Sequence, residues 1–206
     1  MSWIGSGLAS FALIWWLTDR TGSATVLAIG SLFSMLPTIL LGPLVGALVD
    51  RWNRKRIMLG ADSAIALVSA WLAYLFWRDA LQIWHVYAIM LARAVGSTFH
   101  DPAINASTSM MVPQEHLPRI QGLNSALAGV TSIISPPLGA LLVRLLPLHE
   151  IMAIDVFSAA FAILPLLLVS IPQLQRRPLS SDSTRSSVWA DVRDGLRYIW
   201  DRPGLR

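Results

Sequence analysis

Arg93 sits in the stretch IMLARAVGSTFHDPA, about ten residues into a long apolar run, and Asp62, Asp101, Asp155 and Asn124 lie within or beside runs of the same kind. A guanidinium roughly 15 Å down a helix is near the middle of a bilayer. There it costs at least about 3 kcal/mol on insertion scales, so it must find a partner or face a water-filled cavity. A carboxylate whose pKa is raised by burial can carry a proton, which makes each of the three aspartates a candidate coupling acid as well as a candidate half of a structural ion pair. Asp62 and Asp155 stand about five residues from the start of their runs, where a carboxylate can still reach the interface. Asp101 precedes Pro102, where helix termination explains it equally well. His100 titrates near neutrality in water, although a lone histidine is usually structural. Asn124 needs a hydrogen-bond partner in an apolar environment, so it either lines a polar path or joins two helices.

No other chemistry emerges. The chain has no cysteine, which removes disulfides, thiolate metal sites and cysteine nucleophiles. It contains no zincin histidine pair, nucleophile elbow, phosphate-binding lysine loop or dinucleotide glycine fingerprint. An enzyme is not expected, nor a cofactor or a metal. The formal charge of +4 raises the question of nucleic acid. With 54% hydrophobic and only 14% charged residues among 206 and a mean hydropathy of +0.57, the basic residues serve instead to orient the chain in a membrane.

The elements that hold these residues are six apolar segments, at about residues 3–17, 26–49, 57–77, 83–99, 123–143 and 151–171. Each is read as a membrane-crossing helix, which needs roughly 20 apolar residues. The first is short and looks clipped, and Met1 and Ser2 give it no basic region of the kind that opens a secretory signal. Twelve of the sixteen Lys and Arg follow the second, fourth and sixth segments, beginning with Arg51, Arg54, Lys55 and Arg56. Because basic loops stay on the cytoplasmic side, the expected topology is multi-pass with the N-terminus cytoplasmic. Trp3, Trp77, Trp84 and Tyr87 near segment ends suit the interface. The expected domains are a six-helix bundle over 1–172, a polar Pro- and Ser-containing cytoplasmic linker over 173–187, and an amphipathic helix over 188–206 leading toward a further segment.

The second segment contains GPLVGALV from Gly42 and the fifth contains PPLGALLV from Pro136. These are the middle helices of two three-helix units, and an odd number of crossings turns the second unit upside down, a pattern found in secondary transporters. Gly42 and Gly46 form one small-residue pair, and Gly122, Ser125, Ala126, Gly129, Ser132, Pro136, Gly139 and Ala140 form a small-residue stripe on the fifth segment, which suits either close helix packing or a moving interface.

Gly46, Asp50, Arg51, Arg54 and Lys55 follow the order of the loop motif between helices two and three of the major facilitator superfamily, which this chain resembles. Asn53 replaces the motif's glycine and is expected to adopt the left-handed backbone that Asn tolerates. Arg93 and Gly96 are similar to the family's helix-four signature, and Gly122, Thr131, Ser135, Pro136, Gly139 and Ala140 follow its antiporter motif loosely. The stretches FHDPA, VPQEHLPRIQGLNS and GLRYIWDRPGLR look most like the macrolide-efflux branch of the bacterial drug:proton antiporters.

The resemblance implies an all-α, polytopic protein of the bacterial cytoplasmic membrane. It would be one six-helix bundle of a proton-coupled, alternating-access exporter of small hydrophobic drugs such as macrolides. Its second bundle would come from a C-terminal six-helix half or a second chain. Asp50 and Arg54 would form a latch between bundles. The alternative is a non-transporting half-length membrane protein that needs a partner chain or is inactive.

Overall fold

The structure, a computed structural model, describes residues 2–168. The expected linker and amphipathic helix, and the end of the sixth segment, lie outside the described residues. Six α-helices follow one another: α1 (Ser2–Thr21), α2 (Ala24–Arg51), α3 (Arg54–Trp77), α4 (Ile83–Met111), α5 (Leu117–Leu145) and α6 (Leu148–Leu168). A short 3-10 helix, Gln114–His116, leads into α5, and no strand occurs among the described residues. Four of the helices, α2, α3, α6 and α5 with its lead-in, are long and apolar enough to cross a membrane by length and composition. The polar residues of α1 and α4, among them Asp19, Arg20, Arg93, His100 and Asp101, lower the apolar character of those two.

Two expectations about helix ends are corrected, and the first helix outruns its apolar run: α1 has 20 residues and continues through Thr18 and Thr21, whose hydroxyls donate to the carbonyls of Ile14 and Leu17 at 2.8 and 2.6 Å. The fourth helix does not stop at Asp101 but passes through Pro102 to Met111. A proline removes one backbone donor, and here burial of Ala103 and Ser107 beyond it holds the helix together. Asn53 is not left-handed. It has φ −68° and ψ 109° and caps α3, its side chain accepting from the Arg56 N–H at 3.1 Å. The extended pair Trp52–Asn53 turns the chain without positive φ, a conformation kept for Gly22 and Asp79 in the loops at the other end.

α3 packs mainly on α6 and α4, α2 on α4, and α1 on α5 and α6. Two apolar clusters result. One joins Leu13 and Leu17 to Leu72, Val86, Ile89, Ile151 and Met152 toward the α3–α4 loop. The other joins Val45, Val49, Ile57, Met58 and Ala103 at the basic α2–α3 end. Between the two clusters lies a layer of polar side chains. Gly96 lets α3 approach α4 here, because a Cβ at that position would lie 2.7 Å from Ile65 Cγ1. On α5 the small residues divide. Ser135 and Gly139 are buried and receive α1 at Gly7 and Phe11, whereas Gly122 and Gly129, like Gly42 and Gly46 of α2, have open space beside them. Leu67, Ile133, Phe157 and Phe161 point outward, as side chains that meet lipid or another apolar surface do.

Candidate functional site

The polar layer is built around two basic side chains of α4, Arg93 and His100, placed two helical turns apart. Arg93 Nη1 donates to Asp155 Oδ2 of α6 and to Ser69 Oγ of α3. Ser69 itself donates to Asp155 Oδ2 at 2.7 Å, and Ser6 of α1 donates to Asp155 Oδ1 at 3.2 Å. Asp155 is 1% exposed and Arg93 8%, so the pair is desolvated and each charge depends on the other. Four helices meet at one carboxylate, which ties α1, α3, α4 and α6 at a single depth. Toward the basic end, His100 Nε2 lies 3.1 Å from Asp62 Oδ1 of α3, and His100 Nδ1 lies 3.6 Å from the exposed carboxylate of Asp101. Thr38 of α2 and Thr98 of α4 share a hydrogen bond of 3.1 Å between them.

Ser6, Thr38, Asp62, Arg93, His100 and Asp101 border open space, whereas Asp155, Ser69 and Thr98 do not. A cavity of about 490 Å³ between α1, α2 and α4 is lined by Arg93 and by the hydroxyls of Ser6, Ser10, Ser31, Ser34, Thr38 and Ser97. A second, of about 1030 Å³, shares Ser6, Ser10 and Ser97 with it and extends to Asp62, His100, Asp101, Asn105 and, across on α5, Gln121 and Asn124. The two form a wall with hydroxyl and amide groups set among Leu, Ile and Met side chains, the character of a site for a mostly apolar ligand that carries a few polar groups.

At the basic end, Asp50 Oδ1 lies 3.7 Å from Arg54 Nη2. The Arg54 side chain is held on α4, where it donates to the Ala106 carbonyl at 3.0 Å and contacts the Met110 sulfur. Lys55 Nζ donates to the Leu167 carbonyl of α6 at 2.8 Å. Asp50 remains three-quarters exposed, whereas Gly46 one turn earlier faces open space. The motif therefore has a fixed arginine and a carboxylate directed away from the bundle.

The family model described as Major Facilitator Superfamily matches residues 1–205. The chain belongs to the major facilitator superfamily. The superfamily is one of polytopic membrane transporters, not of enzymes. It is 37% identical over 205 residues to macrolide efflux protein A of Streptococcus pyogenes, covering all of this chain and 50% of that protein. With macrolide efflux protein A of Enterococcus faecalis it shares 38% over 184 residues, 89% of this chain and 56% of the relative. With the multidrug efflux pump Tap of Mycobacterium bovis it shares 24% over 212 residues, all of this chain and 50% of the relative. The chain spans about half the length of these curated relatives, their N-terminal half in the case of the macrolide efflux proteins.

Of the candidates taken from the sequence, the structure joins Arg93 to Asp155, Asp62 to His100 and Asp101, and Asp50 to Arg54. It leaves Asn124 on the cavity wall. Sequence reasoning missed Ser69 and Ser6 as the hydroxyls that complete the Asp155 shell, and it treated His100 as an isolated residue. The interval from Arg93 to His100, one heptad on a single helix face, is the signal that would have linked the two basic residues.

Proposed function

We propose that this chain is the N-terminal six-helix half of a secondary active transporter that exports hydrophobic drugs such as macrolides in exchange for protons. The reading places it in the bacterial cytoplasmic membrane with its N-terminus inside and all six helices spanning. A C-terminal half or a second chain completes the path. The observation that carries this reading is the desolvated Arg93–Asp155 pair set beside a hydroxyl-lined cavity. Apolar residues could replace both members of a buried pair at little cost in stability, and in a membrane such charges mark substrate or ion pathways.

The inverted-repeat reading gains support from the contacts. Exchanging α1, α2 and α3 for α4, α5 and α6 turns the α1–α5 contact into α4–α2 and the α1–α6 contact into α4–α3, and it leaves α3–α6 unchanged, all of which are main contacts of the bundle. The related stretches GPLVGALV and PPLGALLV then fall on the exchanged pair α2 and α5. Asp50, exposed and next to a tethered Arg54, suits a latch that engages the second bundle in one state and releases it in the other.

The test is drug accumulation in an efflux-deficient bacterium expressing this chain alone, or joined to the C-terminal half of the Streptococcus pyogenes macrolide efflux protein. The joined protein is expected to lower accumulation of a labelled macrolide, and a protonophore is expected to abolish that effect. The chain alone is expected to leave accumulation unchanged. Efflux by a demonstrably monomeric chain would refute the two-bundle reading, and efflux insensitive to the protonophore would refute proton exchange.

A further inference from the structure

We propose that His100, held between Asp62 and Asp101, is a proton-binding site on the cavity wall and, on the transporter reading above, the group that carries the coupled proton. Of the side chains lining the larger cavity, Asp62, His100 and Asp101 are the charged or titratable ones among the described residues. Asp62 approaches from α3 and Asp101 from the histidine's own helix. From α5 the wall presents the neutral amides Gln121 and Asn124, from α1 the hydroxyls Ser6 and Ser10, and from α6 Ala159. Arg93 of α4 and Asp155 of α6 face each other two turns away and satisfy one another.

The two ring nitrogens explain why the site should bind and release a proton. A neutral imidazole has one N–H, so it can donate to one carboxylate and must turn a lone pair toward the other. An imidazolium donates from both nitrogens. Here the nitrogens face different acids, Nε2 toward Asp62 at 3.1 Å and Nδ1 toward Asp101 at 3.6 Å, so only the protonated ring suits both neighbours. The exposures are graded as well, with the Asp62 side chain 11% exposed, His100 16% and Asp101 67%. A proton can therefore enter from cavity water at Asp101 and reside on the ring beside a sheltered carboxylate. Deprotonation leaves two carboxylates facing an imidazole that can serve only one of them, which favours a change in how α3 and α4 meet.

The site is tested on the chain in lipid nanodiscs, with ¹⁵N-labelled histidine and the four imidazoles assigned by single His→Gln substitutions. The His100 ring nitrogens are expected to show one protonation step. Asp62→Asn is expected to move its pH midpoint down by about one unit, since an adjacent carboxylate favours the charged ring. Asp101→Asn, at an exposed position, is expected to move the midpoint the same way by less, and it serves if Asp62→Asn does not fold. A His100 that never changes protonation, or a midpoint indifferent to both substitutions, overturns the proposal. In the joined protein, His100→Gln is expected to abolish protonophore-sensitive efflux while keeping downhill substrate exchange, and full proton-driven efflux by that variant overturns the coupling role. If no version of the joined protein transports, the efflux reading fails, and the titration still decides the proton site.

Discussion

Arg93 and His100 stand one heptad apart on the same face of α4, and each holds a carboxylate from a different helix: Asp155 of α6 and Asp62 of α3. α4 thus carries two basic side chains, each set against a carboxylate and of unequal burial. The inner pair is more deeply buried and completed by serine hydroxyls, with Arg93 alone reaching the smaller cavity, whereas the other borders the larger cavity and Asp101. The first is suited to holding the bundle at one depth, and the second to exchanging a proton with water.

Breaking the inner pair from one side leaves a charge without a partner. Arg93→Met and Asp155→Leu are each expected to cost about 3–5 kcal/mol, and the double variant is expected to recover most of that loss, because it removes both charges together. Reversible unfolding in detergent measures all three. Losses that simply add in the double variant would show that the two residues are not coupled.

Asp50 and Arg54 are expected to behave differently although they form one ion pair. Asp50→Asn is expected to change stability by less than about 1 kcal/mol, as for other exposed pairs. Arg54→Ala also loses a hydrogen bond to the Ala106 carbonyl and its packing on α4, a cost of about 1–3 kcal/mol. In the joined protein, Asp50→Asn is expected to reduce efflux at unchanged abundance. Efflux at the original rate would remove the latch.

Two glycines separate packing from mere helix propensity. Gly46→Ala enters open space and is expected to be neutral or stabilising by up to about 1 kcal/mol. Gly96→Ala puts a Cβ against the β-branched Ile65, whose Cγ1 would be 2.7 Å away, and is expected to cost about 1–3 kcal/mol. Adding Ile65→Ala should recover part of that loss. Equal melting temperatures for the two alanine variants would contradict the close approach of α3 and α4.

The absence of cysteine makes the chain ready for site-directed labelling. In membranes, Asn105→Cys and Asn124→Cys, both on the cavity wall, are expected to react with a water-soluble maleimide. Phe157→Cys and Phe161→Cys, each at a position 68% exposed on α6, are expected to react only with an apolar, membrane-permeant reagent. The reverse pattern would mean that the hydroxyl-lined face is not the wet one.

The six helices of the described residues were legible in the sequence, because apolar runs punctuated by charge are a local property of the chain. So was the need for Arg93 to have a partner, which follows from the cost of an unpaired guanidinium in an apolar medium. The helix ends at Thr21 and Met111 were harder to read. A hydroxyl bonded to its own helix carried α1 past its apolar run, and burial beyond Pro102 carried α4 past a residue that usually ends helices.

The partner itself could not be read. Asp62, Asp101 and Asp155 were equivalent candidates in the sequence, and nothing local to Arg93 distinguishes a carboxylate 62 residues away from one 8 residues away. That choice is made by the order in which helices pack, which brings Ser6, Ser69 and Asp155 from three other helices to the same depth as Arg93. The sequence by itself determined which groups could not remain alone in an apolar surrounding. The tertiary structure decided which of them meet, because side chains far apart in the chain become neighbours only through the packing of whole helices.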